Sequence, residues 1–397
     1  MCSARSNRLD RLQMRSALTL IAAISATSTM PQALALPLDI ESDIEAATVV
    51  SLLEDERSDS EVVLYEISFD TEAETILQNG TELGARLTLR GQRDHPLRPG
   101  FAGDFGTGLP VAGAYSGFSG GPIGDETGAR GRLEAAYLRA DGGYGELRIG
   151  KDRGVAARFF EGAPSALTYS AVANPYLDPT GLKINRTNHD VTGPSAKLSY
   201  ASPRILGLRA GISYTPDADG QNLDRSLSDA VGQPGLSDVV EASANLSRTL
   251  RSSGTRIEAS LAWSSAEPDD FAGLTRDRME TWSLGANIER DGTEFGLSWL
   301  QSDNGFGDAD YSAWEAGVAR EFGETRVSLN YGEAEDDLAQ LSSEGFSLAA
   351  SRELSDGFDV ALSYQNEQLD TPGGNRTSRG VVVEITLQAD FFEMSRN

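Results

Sequence analysis

The sequence predicts an all-β fold: a transmembrane, antiparallel up-and-down β-barrel of fifteen strands, sixteen if residues 46–53 form one, with a long third loop folded inward. Three observations carry this. Segments of about ten residues alternate apolar and polar side chains. Short and long connections take strict turns between them. The apolar face is nearly free of charge over whole strands, while its partners are Ser, Gly, Asn, Thr and Ala with scattered Arg and Glu.

The alternation runs from Glu61 to Phe391. Leu83, Ala85, Leu87 and Leu89 alternate with Gly84, Arg86, Thr88 and Arg90; Leu208, Ala210, Ile212 and Tyr214 alternate with Arg209, Gly211 and Ser213. Trp282–Ile288, Val327–Tyr331 and Phe358–Tyr364 repeat the pattern. Short turns fall at Gln78-Asn79-Gly80, Asp141-Gly142-Gly143, Asp291-Gly292 and Ser355-Asp356-Gly357, among others, all rich in residues that tight hairpins require. Long loops are expected at 93–128, 152–193, 216–236, 266–278, 303–311, 335–344 and 369–377. A soluble sandwich has no reason for this rule. A transmembrane barrel does, with short turns on the periplasmic side and long loops outside. Closure also removes the edges that so many amphipathic strands would expose. Trp263, Tyr214, Trp299, Tyr331 and Tyr364 stand near strand ends, where an interfacial girdle places amphipathic rings.

Composition bounds the alternatives. The chain has 397 residues, 42 of them Gly, and a net charge of −26. Past residue 35 it has no apolar run of about 18 or more, so no transmembrane helix is expected there. The acidic balance argues against nucleic acid as a partner. Residues 1–35 read as a signal peptide: a basic stretch with Arg5, Arg8, Arg11 and Arg15, an apolar stretch Ala17–Ala26, and the cleavage pattern Ala33-Leu34-Ala35. Cleavage removes four Arg, one Asp and the only cysteine, Cys2, leaving a chain of charge −29 held without disulfides. Residues 36–60 form an acidic segment with a possible first strand at 46–53. The barrel spans 61–391, and 392–397 form a C-terminal extension.

The signal peptide, the stretch Tyr144–Lys151 (YGELRIGK) leading into the long loop from Asp152, the strand RILGLRAGISYTP from Arg204 and the alternating meander together resemble the general porins of Gram-negative bacteria, in the form typical of alphaproteobacteria. The last strand, Val381 to Phe391, resembles the terminal strand of outer-membrane barrels, although residues 392–397 follow its Phe. The resemblance implies a sixteen-stranded outer-membrane barrel, usually a homotrimer, in contact with outer-membrane lipid. It implies passive diffusion of small hydrophilic solutes and ions, with no enzyme activity and no cofactor. It also implies a constriction where acids on the third loop face a basic wall. The loop candidates are Asp152, Glu161, Asp178 and Asp190. The wall candidates are Arg86, Arg90, Arg132, Arg148, Lys197 and Arg209, all on the face assigned to the lumen.

Two other readings stand beside it. One is a secreted soluble β-rich binding protein or adhesin. The other is an outer-membrane barrel hydrolase, which needs His95 or His189 as its base, with a serine nearby. Two histidines are thin material for a zinc site, and the acidic stretches Asp303–Asp310 and Glu333–Asp337 read as solvated loop tips, so no metal is expected.

Overall fold

The computed structural model describes residues 38–55, 62–95, 98, 111–112, 117–118, 129–218, 235–268, 277–305 and 310–396. The predicted signal peptide, residues 56–61 and most of the 93–128 loop lie outside the described residues.

Sixteen antiparallel strands close into one barrel. They are β1 (Leu38–Asp55), β2 (Val62–Ile76), β3 (Glu82–Arg93), β4 (Arg130–Gly142), β5 (Gly145–Asp152), β6 (Ser195–Ala201), β7 (Leu208–Ala218) and β8 (Leu236–Leu250). The second half comprises β9 (Thr255–Pro268), β10 (Met279–Arg290), β11 (Thr293–Ser302), β12 (Tyr311–Phe322), β13 (Thr325–Asp336), β14 (Leu341–Ser355), β15 (Phe358–Thr371) and β16 (Gly374–Arg396). Each strand pairs with its neighbours in sequence, and β16 pairs with β1 to close the ring. A hairpin of two-residue strands at Val111–Ala112 and Gly117–Phe118 lies apart from the barrel sheet. One helical turn, α1 (Val155–Arg158), stands just after β5.

The barrel is inverted relative to a soluble core. Leu362 is 55% exposed on the outer surface, while its neighbours Ala361 and Ser363 are 5% and 2% exposed on the inner one. The same holds for Leu284 beside Ser283 and for Leu348 beside Ser347. Such an outer face requires an apolar medium, since moving one Leu side chain out of water is worth about 1.5–3 kcal/mol. Near the long-loop ends of the strands, Trp263 packs against Trp282 with ring centroids 6.4 Å apart, and Trp314 against Tyr331 at 5.5 Å, both pairs tilted at 54°. Trp299 is directly opposite Trp314 in the β11–β12 register. Trp263, Trp299 and Tyr331 are three of the five rings expected near strand ends, and Trp282 and Trp314 stand beside them there.

Turn chemistry sets the other rim. Asp291 and Gly292, at φ 52° and 71°, form the tight turn between β10 and β11, a conformation that Asp-Gly adopts with little strain.

The strands outrun the alternation at several places. β1 begins at Leu38, so residues 46–53 are only its middle. β16 continues through the expected extension to Arg396, opposite Leu38. The loops expected at 335–344 and 369–377 contract to turns at Asp337–Gln340 and Pro372-Gly373. Beyond the lipid both strand faces are wet. The hydrogen-bonded ladder continues there, but nothing requires alternate residues to be apolar.

Candidate functional site in the barrel lumen

The stretch Tyr144–Lys151 delivers the chain into the lumen. Gly150 in β5 has φ 134°, and a Cβ there would stand 2.4 Å from the Ala136 carbonyl oxygen of β4, so only glycine fits. The Arg153 amide then donates to Asp152 Oδ1 at 2.8 Å, and α1 opens with the Val155 amide donating to Ser213 Oγ of β7.

From there the segment runs along the inner wall, strand by strand. The Glu161 amide donates to Ser260 Oγ of β9 at 3.0 Å, Asn287 of β10 donates to the Gly162 carbonyl, and Asn330 of β13 donates to the Pro164 carbonyl. The Ala166 amide donates to Ser328 Oγ at 2.9 Å. At the far end, the amides of Thr168, Tyr169 and Ser170 all donate to the Glu384 carboxylate of β16, at 2.9, 3.1 and 3.0 Å. The chain then returns nearer the long-loop rim. Asn185 donates to the Trp314 carbonyl, the Arg186 amide to Tyr311 Oη, and Ser298 and Thr187 share a hydroxyl bond. The main chain of this segment thus bonds to polar side chains of the inner face on several strands between β7 and β16.

A row of wall glycines lets the segment lie close. A Cβ at Gly285 would be 1.8 Å from the Glu161 carbonyl oxygen, one at Gly296 would be 2.6 Å from Pro164 Cδ, and one at Gly317 would be 2.7 Å from the Pro164 oxygen.

Buried charges pin the return. Lys183 Nζ donates to the Ser170 and Ala171 carbonyls and to Gln365 Oε1, all at 2.8–2.9 Å. Burial draws its pKa down against the opposing charges of Glu367 and Asp178. Burial pushes the Asp178 carboxyl up, but Lys183, Arg98 and its hydrogen bonds outweigh that and hold it below the ordinary value. His189 is wholly buried between Ser264 and Ser283, bonded at 2.8 and 2.9 Å, and burial pushes its pKa to about 3. A ring so enclosed has no approach for a substrate, which counts against His189 as a catalytic base.

On the other side of the lumen, between the segment and the wall of β1–β5, lies a cavity of about 430 Å³. Arg86, Arg90, Arg148 and Asp152 line it together. Arg86 pairs with Asp70 at 2.9 Å; Arg90 pairs with Glu66 at 2.7 Å and lies over the Tyr176 ring, 4.2 Å from its centroid. Arg148 pairs with Asp152 at 3.1 Å and lies 4.7 Å from the Tyr137 centroid.

The remaining candidates stand elsewhere. Arg132 lies beside Glu134 at 3.9 Å, away from the cavity lining. Lys197 is buried and donates to Thr192 Oγ1 and the Gly193 carbonyl. Arg209 donates to the Ser202 carbonyl and packs over Phe159. Glu161 turns to the wall, where it accepts from Asn245 Nδ2 at 2.6 Å and burial raises its pKa. Asp178 belongs to the Lys183 cluster, and Asp190 is buried 3.9 Å from Arg153.

The sequence reading passed over several lining residues: Asp43 and Glu45 of β1, Glu66 and Asp70 of β2, Glu134, and Arg153 with its 2.6 Å bond to Glu134. A signal for the first two existed, since Asp39, Glu41, Asp43 and Glu45 recur every second residue.

Solved structures share this architecture. An anion-selective porin from Comamonas acidovorans is 14% identical, with a TM-score of 0.54 over 89% of this chain and 98% of that chain. Salmonella typhi OmpF in complex with daunomycin is 14% identical, with a TM-score of 0.57 over 88% and 97%. Pseudomonas putida OprB at high pH is 13% identical, with a TM-score of 0.57 over 89% and 94%. At these identities the likeness concerns the fold. No curated protein sequence matches the chain. The sequence model of the Gram-negative porins, however, matches residues 43–372, nearly the whole barrel. With a closed sixteen-stranded barrel, a lipid-compatible outer face and a polar lumen, the chain therefore belongs to the Gram-negative porin family, the diffusion pores of the outer membrane.

Proposed function

We propose that the protein forms a water-filled pore for passive diffusion of small hydrophilic solutes and ions, narrowed between residues 153–194 and the wall of β2–β5. The observation that carries this reading is the way the segment is seated: its main chain is bonded to inward-facing side chains from β7 to β16, leaving open the cavity bordered by Arg86, Arg90, Arg148 and Asp152. In so narrow a passage, facing charges sort solutes by sign, and low-dielectric walls focus their field. Arg132, Lys197 and Arg209 with Glu161, Asp178 and Asp190 support the narrow point from behind. The chain acts as a homotrimer after cleavage behind Ala35, and it carries out no catalysis.

The test is electrical. Detergent-purified protein in a planar bilayer is expected to give large stable conductance steps in groups of three, and heat-modifiable trimers on gels. Correctly folded protein that conducts nothing would overturn the reading and leave a plugged barrel.

A further inference from the structure

The β1–β2 register places like charges opposite one another. Asp39 stands across from Glu74, Glu41 from Glu72, and Asp43 from Asp70. On the other flank of β1, Asp43 also faces Asp390, and Glu41 faces Glu393 of β16. Asp43, Glu45, Glu66 and Asp70 line the cavity, and the strand period of two puts Asp39, Glu41, Glu72 and Glu74 on that same lumen face. Like charges directly opposite on a sheet are destabilising. Here the repulsion is repeated at three successive pairs.

The nearby arginines serve the β2 side of this column and leave its β1 side uncompensated. Arg86 is engaged with Asp70 and, at 3.9 Å, with Glu72; Arg90 is engaged with Glu66, and Arg139 with Glu72, Glu74 and Glu82. Asp39, Glu41 and Asp43 form no ion pair among the described residues, and Glu45 accepts the Tyr169 hydroxyl at 2.5 Å. The column starts at the cavity and descends toward the rim of the Leu77–Thr81 turn, one of the short turns. A stripe of carboxylates on the wall of a conducting lumen holds mobile counter-ions, and those ions are cations.

We propose that this acidic column on β1, β2 and β16 makes the pore selective for cations and cationic solutes, drawing them between the cavity and the short-turn mouth despite the arginines of the neighbouring wall. The inference rests on the pore reading above and adds the sign of what passes. In water, one carboxylate about 8 Å away roughly doubles the local concentration of a monovalent cation before screening. Four such charges together are therefore worth at least about threefold in the permeability ratio after screening.

The experiment is the zero-current potential under a KCl gradient, for the wild type and for a variant carrying Asp39→Asn, Glu41→Gln, Asp43→Asn and Asp390→Asn, four carboxylates on the β1 and β16 side of the column. The wild type is expected to favour K⁺ over Cl⁻, and the variant to lose at least about threefold of that ratio. Channels that conduct but favour Cl⁻, or a variant with an unchanged ratio, overturn the inference and leave the pore reading intact. Absence of conductance in folded wild type overturns both. Should the fourfold variant fail to fold, Asp43→Asn alone, read at low salt where screening is weak, decides the matter by the same shift or its absence.

Discussion

Replacing Glu384 by Ala should release the lumen segment from its wall. The carboxylate accepts the consecutive amides of Thr168, Tyr169 and Ser170 and also the Ser170 hydroxyl at 3.0 Å. Hydrogen bonds to a charged group contribute about 1.5–3 kcal/mol each, and the truncation strands donors in a dry interface. Allowing for non-additivity, the loss is about 3–5 kcal/mol. At about 1.4 kcal/mol per tenfold, the unseated population rises at least about 100-fold. The assay uses the absence of cysteine after Cys2: a Leu167→Cys reporter, placed at a residue 5% exposed against Ala349 and Ala361, is labelled with a membrane-impermeant thiol reagent. Labelling should accelerate by the same factor in the Glu384→Ala background, with noisier and larger single-channel steps. Glu384→Gln, which keeps one acceptor oxygen, should fall between. Equal labelling rates and equal conductance in all three backgrounds would refute the argument that this contact seats the segment.

Other perturbations test the remaining parts. Arg86→Gln with Arg90→Gln should move the reversal potential towards cations and enlarge the conductance; an unmoved potential would mean that these arginines do not border the narrow point. Gly285→Val puts side-chain atoms where the Glu161 carbonyl now sits, 1.8 Å from a Cβ position, so the segment must shift into the lumen or detach. Single-channel conductance should change in either case, and wild-type conductance would count against close seating. His189, held near a pKa of about 3 by burial against an ordinary value of 6.5, binds fewer protons when the segment is seated than when it is released. The contribution of His189 to seating is therefore fully present above pH 6.5 and is lost progressively as pH falls from 6.5 toward 3, by up to about tenfold per unit. Labelling of Leu167→Cys, normalised to denatured protein at each pH, should follow that window and flatten in His189→Asn.

The barrel itself was legible in the sequence because lipid imposes a period of two on every strand that crosses it. Leu208, Ala210, Ile212 and Tyr214 announce β7, and Asp291-Gly292 announces its turn, from residues adjacent in the chain. The first half of β1 was obscured by its own chemistry: Asp39, Glu41, Asp43 and Glu45 lie on the lumen side, and an acidic run of this kind does not by itself read as a membrane strand. Arg86, Arg90 and Arg148 could be placed from strand parity alone. The loop acids could not. Whether Glu161 faces the lumen or Asn245 depends on contacts between residues about a hundred positions apart, and no local period encodes them. Glu384 was hidden for the same reason, since nothing near it marks a partner more than two hundred residues away.

The glycines behind the segment carry a consequence for the breadth of the passage. Gly285, Gly296 and Gly317 belong to β10, β11 and β12, across the lumen from the cavity wall of β1–β5. Adding a single methyl at Gly285 or Gly317 acts as a shim beneath the segment, forcing it off the wall without altering a side chain that lines the cavity. In a pore of the proposed form, width and charge are set from opposite sides of the same ring. A barrel so arranged can be re-bored without being recharged, and recharged without being re-bored.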